Sequence, residues 1–301
     1  MSNGTFRGIF TIPSTPFNDD GTVDVDGFKR IIEFCIACGA TGLVYPVNAS
    51  EYTALSDDER KDMSRILVEQ TSGRIPTVIG VAATSRENAS RFARYAHDIG
   101  ADAVIAMPPY VKPKEFTIEN TVIYYRTISE TAKIPVIIQN YVPPVGTNLS
   151  PDTLLSLCRE NEYVEYVKEE TVPSTLKITE LNGKNKGECK GVFGGSGCRY
   201  LIEEYRRGSV GNMPGCHVTD VCVALWNALE SGDNDKAMRI YCDMAPLFFF
   251  ESQFSFVYKE VLKLRGIIKS SYTRNNTYAL DEIGMKYLQE CVSLLKPYMT
   301  V

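Results

Sequence analysis

Lys168 is the residue whose setting could do chemistry. It closes "VEYVK" (164 to 168), where Val164, Tyr166 and Val167 read as a short buried strand, and Glu169, Glu170 and Thr171 follow it. Burial disfavours an ammonium ion, and a neutral amine attacks a ketone to form an imine. The bland alternative is a lysine snorkelling to water beside Glu169 or Glu170. Alternate residues of a strand share a face, so Lys168 and Glu170 point the same way if the strand runs that far, and a carboxylate beside an imine can move protons. If the strand ends at Lys168, Glu170 is a solvated loop charge.

Such a lysine needs a scaffold that presents strand ends to a pocket. Eight apolar, β-rich runs recur along the chain: 8 to 14, 42 to 47, 76 to 81, 102 to 109, 135 to 141, 164 to 168, 189 to 195 and 209 to 215. Between them lie segments with helical spacing, such as 25 to 40, where Phe28, Ile31, Ile32, Cys35 and Ile36 share a face. Two more, "SDDERKDMSRILVEQTSG" and "SRENASRFARYAHDIGA", open on capping Ser with acidic residues and close near Gly. Strand and helix alternating near every 30 residues predict parallel pairing, and runs apolar almost throughout suit a sheet covered on both faces. Eight of them predict an α/β fold, a (β/α)8 TIM barrel. An open doubly wound sheet would want a Gly-rich turn after its first strand, where this chain has "PSTPFNDDG". From about 217 onward the patterns are helical only, so residues 1–220 are predicted to form the barrel core and 221–301 the last barrel helix with a C-terminal helical extension of the same domain.

Composition narrows the function classes. The 301 residues are 44% hydrophobic and 23% charged with a net charge of −5, which suits a globular protein and offers no basic field for nucleic acid. The N-terminal stretch has no signal-peptide pattern and no run is long enough to cross a bilayer, so no membrane association and a cytoplasmic location are expected. Nine cysteines, an odd number, argue for reduced thiols. Cys35 and Cys38 form a C-x-x-C, but only His97 and His217 exist and neither belongs to a ligand pair, so no metal site is predicted.

In a parallel barrel the site lies at the C-terminal strand ends. There the sequence offers Ser14 and Thr15, Asn48 to Glu51, Pro108 to Tyr110, Gln139 to Tyr141, Lys168 and Glu170, Gly194 to Gly197, and Asn212 to Gly215. Most are small or neutral and polar; Lys168 is the cation embedded in its strand. Three glycines in "FGGSG" permit close backbone approach, or merely a tight turn.

With these residues in view, the chain resembles the dihydrodipicolinate synthase/N-acetylneuraminate lyase family of Schiff-base-forming barrel enzymes over nearly its whole length. The opening "IFTIPSTPFNDDGTVDVDGFKRIIEFCIACGATGLV" looks like the family's first two strands. "SEYTALSDDER" is similar to its Gly-Glu-x-x-x-Leu-x-x-x-Glu segment, "MPPYVKP" to its Pro-Tyr-Tyr loop and "YVKEET" to the strand with its imine-forming lysine. The resemblance implies that Lys168 is the nucleophile and that no cofactor is needed beyond the covalent imine. It also implies a homotetramer in which Tyr110 reaches a neighbour's site.

Departures shift the expected reaction. Val47-Asn48-Ala49-Ser50-Glu51 stands where the family has Gly-Thr-Thr-Gly-Glu, and Gln139 takes the place of its catalytic tyrosine, with Tyr141 two residues on. The arginine used for a dicarboxylic substrate falls on Pro144 or Val145. The segments Asn48 to Glu51, Ala106 to Tyr110, Gln139-Asn140, Lys168 to Thr171 and Gly211 to Gly215 resemble more fully the L-2-keto-3-deoxyarabonate dehydratase-like subgroup. The resemblance thus implies a lyase dehydrating a 2-keto-3-deoxy sugar acid, a small 2-oxo-acid substrate. Glu170 would be the base and Tyr110 or Tyr141 proton donors. Asn48, Ala49 and Ser50 would hold the carboxylate, the last two by their amides and the Ser50 hydroxyl, while Gly195, Ser196 and Met213 would line the rest of the pocket. The alternatives are a class I aldolase of the same family with pyruvate as one partner, and a non-catalytic 2-oxo-acid-binding protein.

Overall fold

A computed structural model describes residues 5–108, 117–142, 147–254, 256–275 and 279–300. All eight predicted strands are present: β1 (Gly8–Thr11), β2 (Gly42–Tyr45), β3 (Thr77–Gly80), β4 (Ala103–Ala106), β5 (Val136–Tyr141), β6 (Val164–Glu170), β7 (Gly191–Gly194) and β8 (Gly211–Asn212). Each pairs in parallel with the next, and β8 returns to β1 through Gly8 opposite Gly211, closing the barrel. The fold is the predicted (β/α)8 barrel with additional C-terminal helices.

The crossovers are α1 (Val25–Ala37), α2 (Asp57–Thr71), α3 (Arg86–Asp98), α4 (Ile118–Ala132), α5 (Pro151–Glu160), α6 (Ser174–Lys184), α7 (Leu201–Arg206) and α8 (Thr219–Glu230). Ser56 and Glu59 form a reciprocal capping box at the start of α2, and the Ser85 side chain caps α3. Both signals were legible as Ser followed by acidic or amide residues. In α1 the buried face carries Phe28, Ile31, Ile32 and Cys35 as predicted, joined by Phe34, while Ile36 is only half-buried.

Most strands stop short of the apolar runs that announced them; β1 ends at Thr11 and β8 spans two residues. Beyond the strand ends, described residues of those runs such as Ser14, Val47, Val81, Met107 and Met213 are buried loop. The exception is β6, which continues to Glu170. Its long pairing with β5 sets Gln139 opposite Lys168 and Tyr141 opposite Glu170.

Inward-facing side chains fill the barrel below the mouth. Phe10, Val44, Val78, Ile105, Ile137, Tyr166 and Phe193 form one cluster, floored by Phe6, whose ring stacks on Tyr166 at 5.1 Å and whose amide donates to the Tyr166 hydroxyl at 3.1 Å. Tyr166, Lys168 and Glu170 alternate inward along β6, so the lysine stands directly above the packed core.

Beyond α8 the chain adds α9 (Asn234–Gln253), α10 (Val257–Leu264) and α11 (Glu282–Leu295). They share a core with α7 and α8 that includes Leu225, Leu229, Ile240, Leu247, Val261 and Leu288. Arg265, at the end of α10, meets Asp220 of α8 at 2.6 Å with both side chains almost fully buried. That pair fastens the extension to the barrel. None of the described helices is long and apolar enough to cross a membrane.

Removing one partner of a buried ion pair leaves the other charge uncompensated. Arg265→Met is therefore expected to lower unfolding free energy by about 3–5 kcal/mol, with partial recovery when Asp220→Asn is added. Urea denaturation of the single and double variants measures it.

Candidate active site

β6 determines the centre of the site. Lys168 and Glu170 share the inward face, as strand alternation predicts once the strand reaches residue 170, and their side chains are only 4% and 7% exposed. Lys168 Nζ lies 3.1 Å from Glu170 Oε2. The snorkelling alternative is excluded: the ammonium points into the barrel and its partner is buried with it. Glu169 points the opposite way, accepting from Asn140 Nδ2 at 2.7 Å and from the Thr171 amide and hydroxyl. Burial pushes the Glu169 carboxyl above its ordinary value.

Glu170 is held from two further directions. Gln139 Nε2 donates to Oε2 at 2.7 Å and the Ser196 amide donates to Oε1 at 3.0 Å. Gly195 lets that turn come close, since a Cβ at this position would lie 2.2 Å from Oε1. Tyr141 stands beside Glu170 across the sheet, and burial, with the Glu170 charge adding to it, raises its hydroxyl above the ordinary tyrosine value. It keeps its proton at neutral pH and can donate it.

These groups open into a cavity of about 630 Å³ lined by Asn48, Ala49, Gln139, Tyr141, Lys168, Glu170, Ser196 and Met213. Eight of the sequence-predicted site residues thus meet in one place, and Gly195 stands behind Glu170. Ser50 differs from expectation. Its amide donates to Val47 O at 2.8 Å, closing a one-turn helix, so it is not free to hold a carboxylate. Its hydroxyl is buried with no hydrogen-bond partner among the described residues, and its carbonyl accepts from Thr15 Oγ1 at 2.6 Å. Tyr110 lies outside the described residues.

The opposite wall comes from the C-terminal extension, which sequence patterns marked only as helical. Glu251, Phe256, Tyr258, Lys259 and Thr273 line the cavity, joined by Arg199 from the turn after β7. His217 Nε2 lies 2.5 Å from Glu251 Oε1 and its ring stacks on Tyr258 at 4.2 Å. Lys259 pairs with Glu51, donates to Tyr272 O at 2.9 Å and sits over the Phe17 ring. Lys259 falls outside the apolar stripe of Val257, Val261 and Leu262, so periodicity places it in water; it is buried among Glu51, the Phe17 ring and the Tyr272 carbonyl. All nine cysteines are free thiols, and no group of three His, Cys, Asp or Glu that could hold a metal ion occurs among the described residues.

A family model described as the dihydrodipicolinate synthetase family matches residues 5–295. The chain belongs to that family. L-2-keto-3-deoxyarabonate dehydratase of Azospirillum brasilense is 31% identical over 273 residues, 89% of this chain and 88% of its own. 4-Hydroxy-tetrahydrodipicolinate synthase of Nitratidesulfovibrio vulgaris strain DP4 is also 31% identical, over 80% of this chain and 82% of its own. The solved dihydrodipicolinate synthase of Rhodopseudomonas palustris superposes with a TM-score of 0.88 at 26% identity, covering 97% of this chain and 98% of that one. Dehydratase and synthase chemistry are both represented among these relatives, and both are lyase reactions.

Gly195→Ala tests the placement of Glu170. The added methyl collides with that carboxylate rather than with a flexible surface group, so turnover is expected to fall at least tenfold with the fold retained. Steady-state rates beside a thermal melt separate the two effects.

Proposed function

We propose that the protein dehydrates a 2-keto-3-deoxy sugar acid through an imine on Lys168, with Glu170 moving the protons. The observation that carries this reading is the shared carboxylate: Glu170 Oε2 sits 3.1 Å from Lys168 Nζ and 2.7 Å from Gln139 Nε2, the position where relatives are expected to carry a tyrosine. The similarity to a dehydratase over 89% of the chain supports it too.

In the reaction the Lys168 ammonium gives up a proton, and the resulting amine adds to the C2 carbonyl and expels water as the imine forms. The protonated imine withdraws electrons, so C3 loses a proton to Glu170 and becomes an enamine carbon. The enamine electron pair then expels the C4 hydroxyl, which leaves as water with a donated proton. Hydrolysis of the conjugated imine returns the amine and releases a product one water lighter, with all carbons in place. The lysine provides the electron sink, so the scheme calls on no metal or organic cofactor.

The substrate carboxylate is assigned to the loop after β2, with the Ala49 amide and the Asn48 side chain as donors; Ser50 is fully buried and does not line the cavity. Tyr141 is assigned the proton for the departing hydroxyl, with Tyr110 a further candidate. Ser196 and Met213 then flank the chain beyond C3. Assembly as a homotetramer is part of the same reading.

Retro-aldol cleavage is the second reading, because the same imine breaks the C3–C4 bond if the C4 hydroxyl loses its proton instead, and a synthase is among the relatives. Incubation with a panel of 2-keto-3-deoxy acids separates the two. An intact carbon chain one water lighter is the expected product, whereas pyruvate plus an aldehyde sinks dehydration. Borohydride with pyruvate should trap an adduct on Lys168, absent in Lys168→Ala; no adduct across a broad panel of 2-oxo acids leaves only a binding role. Glu170→Gln is expected to keep the adduct and slow elimination by roughly 10²- to 10⁴-fold, the usual size of a general-base contribution.

A further inference from the structure

The turn after β7 is bent against the preference of its residues. Ser196, Gly197 and Cys198 have φ of +52°, +64° and +66°, and two of these three are not glycine. Consecutive left-handed residues of this kind persist only where their surroundings hold them. The turn is also where Ser196 offers its amide to Glu170.

Glu204 of α7 lies beneath it, fully buried and unused by the chemistry above. Asn212 Nδ2 donates to Glu204 Oε2 at 2.9 Å and to the Gly195 carbonyl at 3.0 Å, bridging the carboxyl to the turn, and Ser174 Oγ lies 3.4 Å from Oε1. Two adjacent glycines separate this carboxyl from the other one. A Cβ on Gly194 would lie 1.8 Å from Glu204 Oε2, and a Cβ on Gly195 would lie 2.2 Å from Glu170 Oε1. The end of β7 is therefore clasped between two carboxyl groups, one on its outer and one on its inner face.

We infer that Glu204 is a positioning residue for proton transfer: with Asn212 it clamps the strained Gly195–Cys198 turn so that the Ser196 amide fixes the carboxylate of Glu170. This rests on Glu170 being the base. Burial pushes the Glu204 carboxyl up to about 8, so at neutral pH it is the neutral acid. Glutamine is its isosteric mimic, whereas methionine fills the space without holding Asn212.

Pyruvate suffices as probe, because both steps can be read on it: borohydride trapping reports imine formation at Lys168, and exchange of the C3 protons in deuterated water reports their removal from the imine. Glu204→Met is expected to slow exchange at least tenfold with trapping within about threefold of the wild type, and Glu204→Gln to restore exchange at pH 7. Asn212→Leu, which opens the same clamp from β8, should reproduce the Met variant. The inference is overturned if Glu204→Met and Asn212→Leu exchange as fast as the wild type, if trapping falls in step with exchange, or if Gln rescues nothing. Undiminished exchange in Glu170→Gln removes the base assignment itself, an outcome no Glu204 variant can mimic.

Discussion

The structure turns on a pair of opposite charges carried inside a barrel. Lys168 and Glu170 are nearly sealed from water, and isolating either would cost several kcal/mol of lost hydration. Attraction between them offsets that only if the remaining hydrogen-bonding capacity of the carboxylate is met, and Gln139 and the Ser196 amide meet it. Three neighbouring features serve this requirement. β6 must run two residues beyond Lys168 for the carboxylate to face inward, β5 must stay in register far enough to bring Gln139 alongside, and β7 must end in glycines for the turn to approach.

How much of this could be read in advance depends on the range of the interaction. Apolar runs such as 164 to 168 and 135 to 141 announce strands because a parallel sheet covered on both faces tolerates few polar positions, and eight such runs imply closure. The Ser56–Glu59 box is local and equally legible. The direction of Glu170 followed from strand parity, conditional on one fact that periodicity cannot supply: where β6 ends. Strand ends are fixed by pairing across the sheet, and β5 extends β6 through Asn140 and Tyr141 opposite Glu169 and Glu170.

Other features were illegible for the same reason. Nothing in "FSFVYKEVLKLRG" says that Lys259 will be buried against the loop after β2, since the contact with Glu51 spans more than 200 residues. The Ser50 amide was assigned to substrate by the family resemblance alone; the structure uses it to close a turn onto Val47. Glu204 is one of two adjacent carboxylates in "LIEEYRRG", and the absence of a side chain at Gly194 makes room for it in the interior.

The choice of glutamine at position 139 links the fold to the chemistry. A phenol there could pass a proton, donating and accepting through one oxygen. A carboxamide cannot exchange its N–H protons on the timescale of turnover, so its contribution is to orient and polarise. Gln139 holds Glu170 by a 2.7 Å hydrogen bond where a tyrosine would relay through it, and under the proposed function proton movement at the amine falls to the carboxylate 3.1 Å away. A base fixed beside the imine nitrogen is well placed for the C3 proton, one bond beyond C2, and less so for the C4 hydroxyl one carbon further out. Under the proposed function, reach rather than basicity is the physical ground for preferring elimination to cleavage.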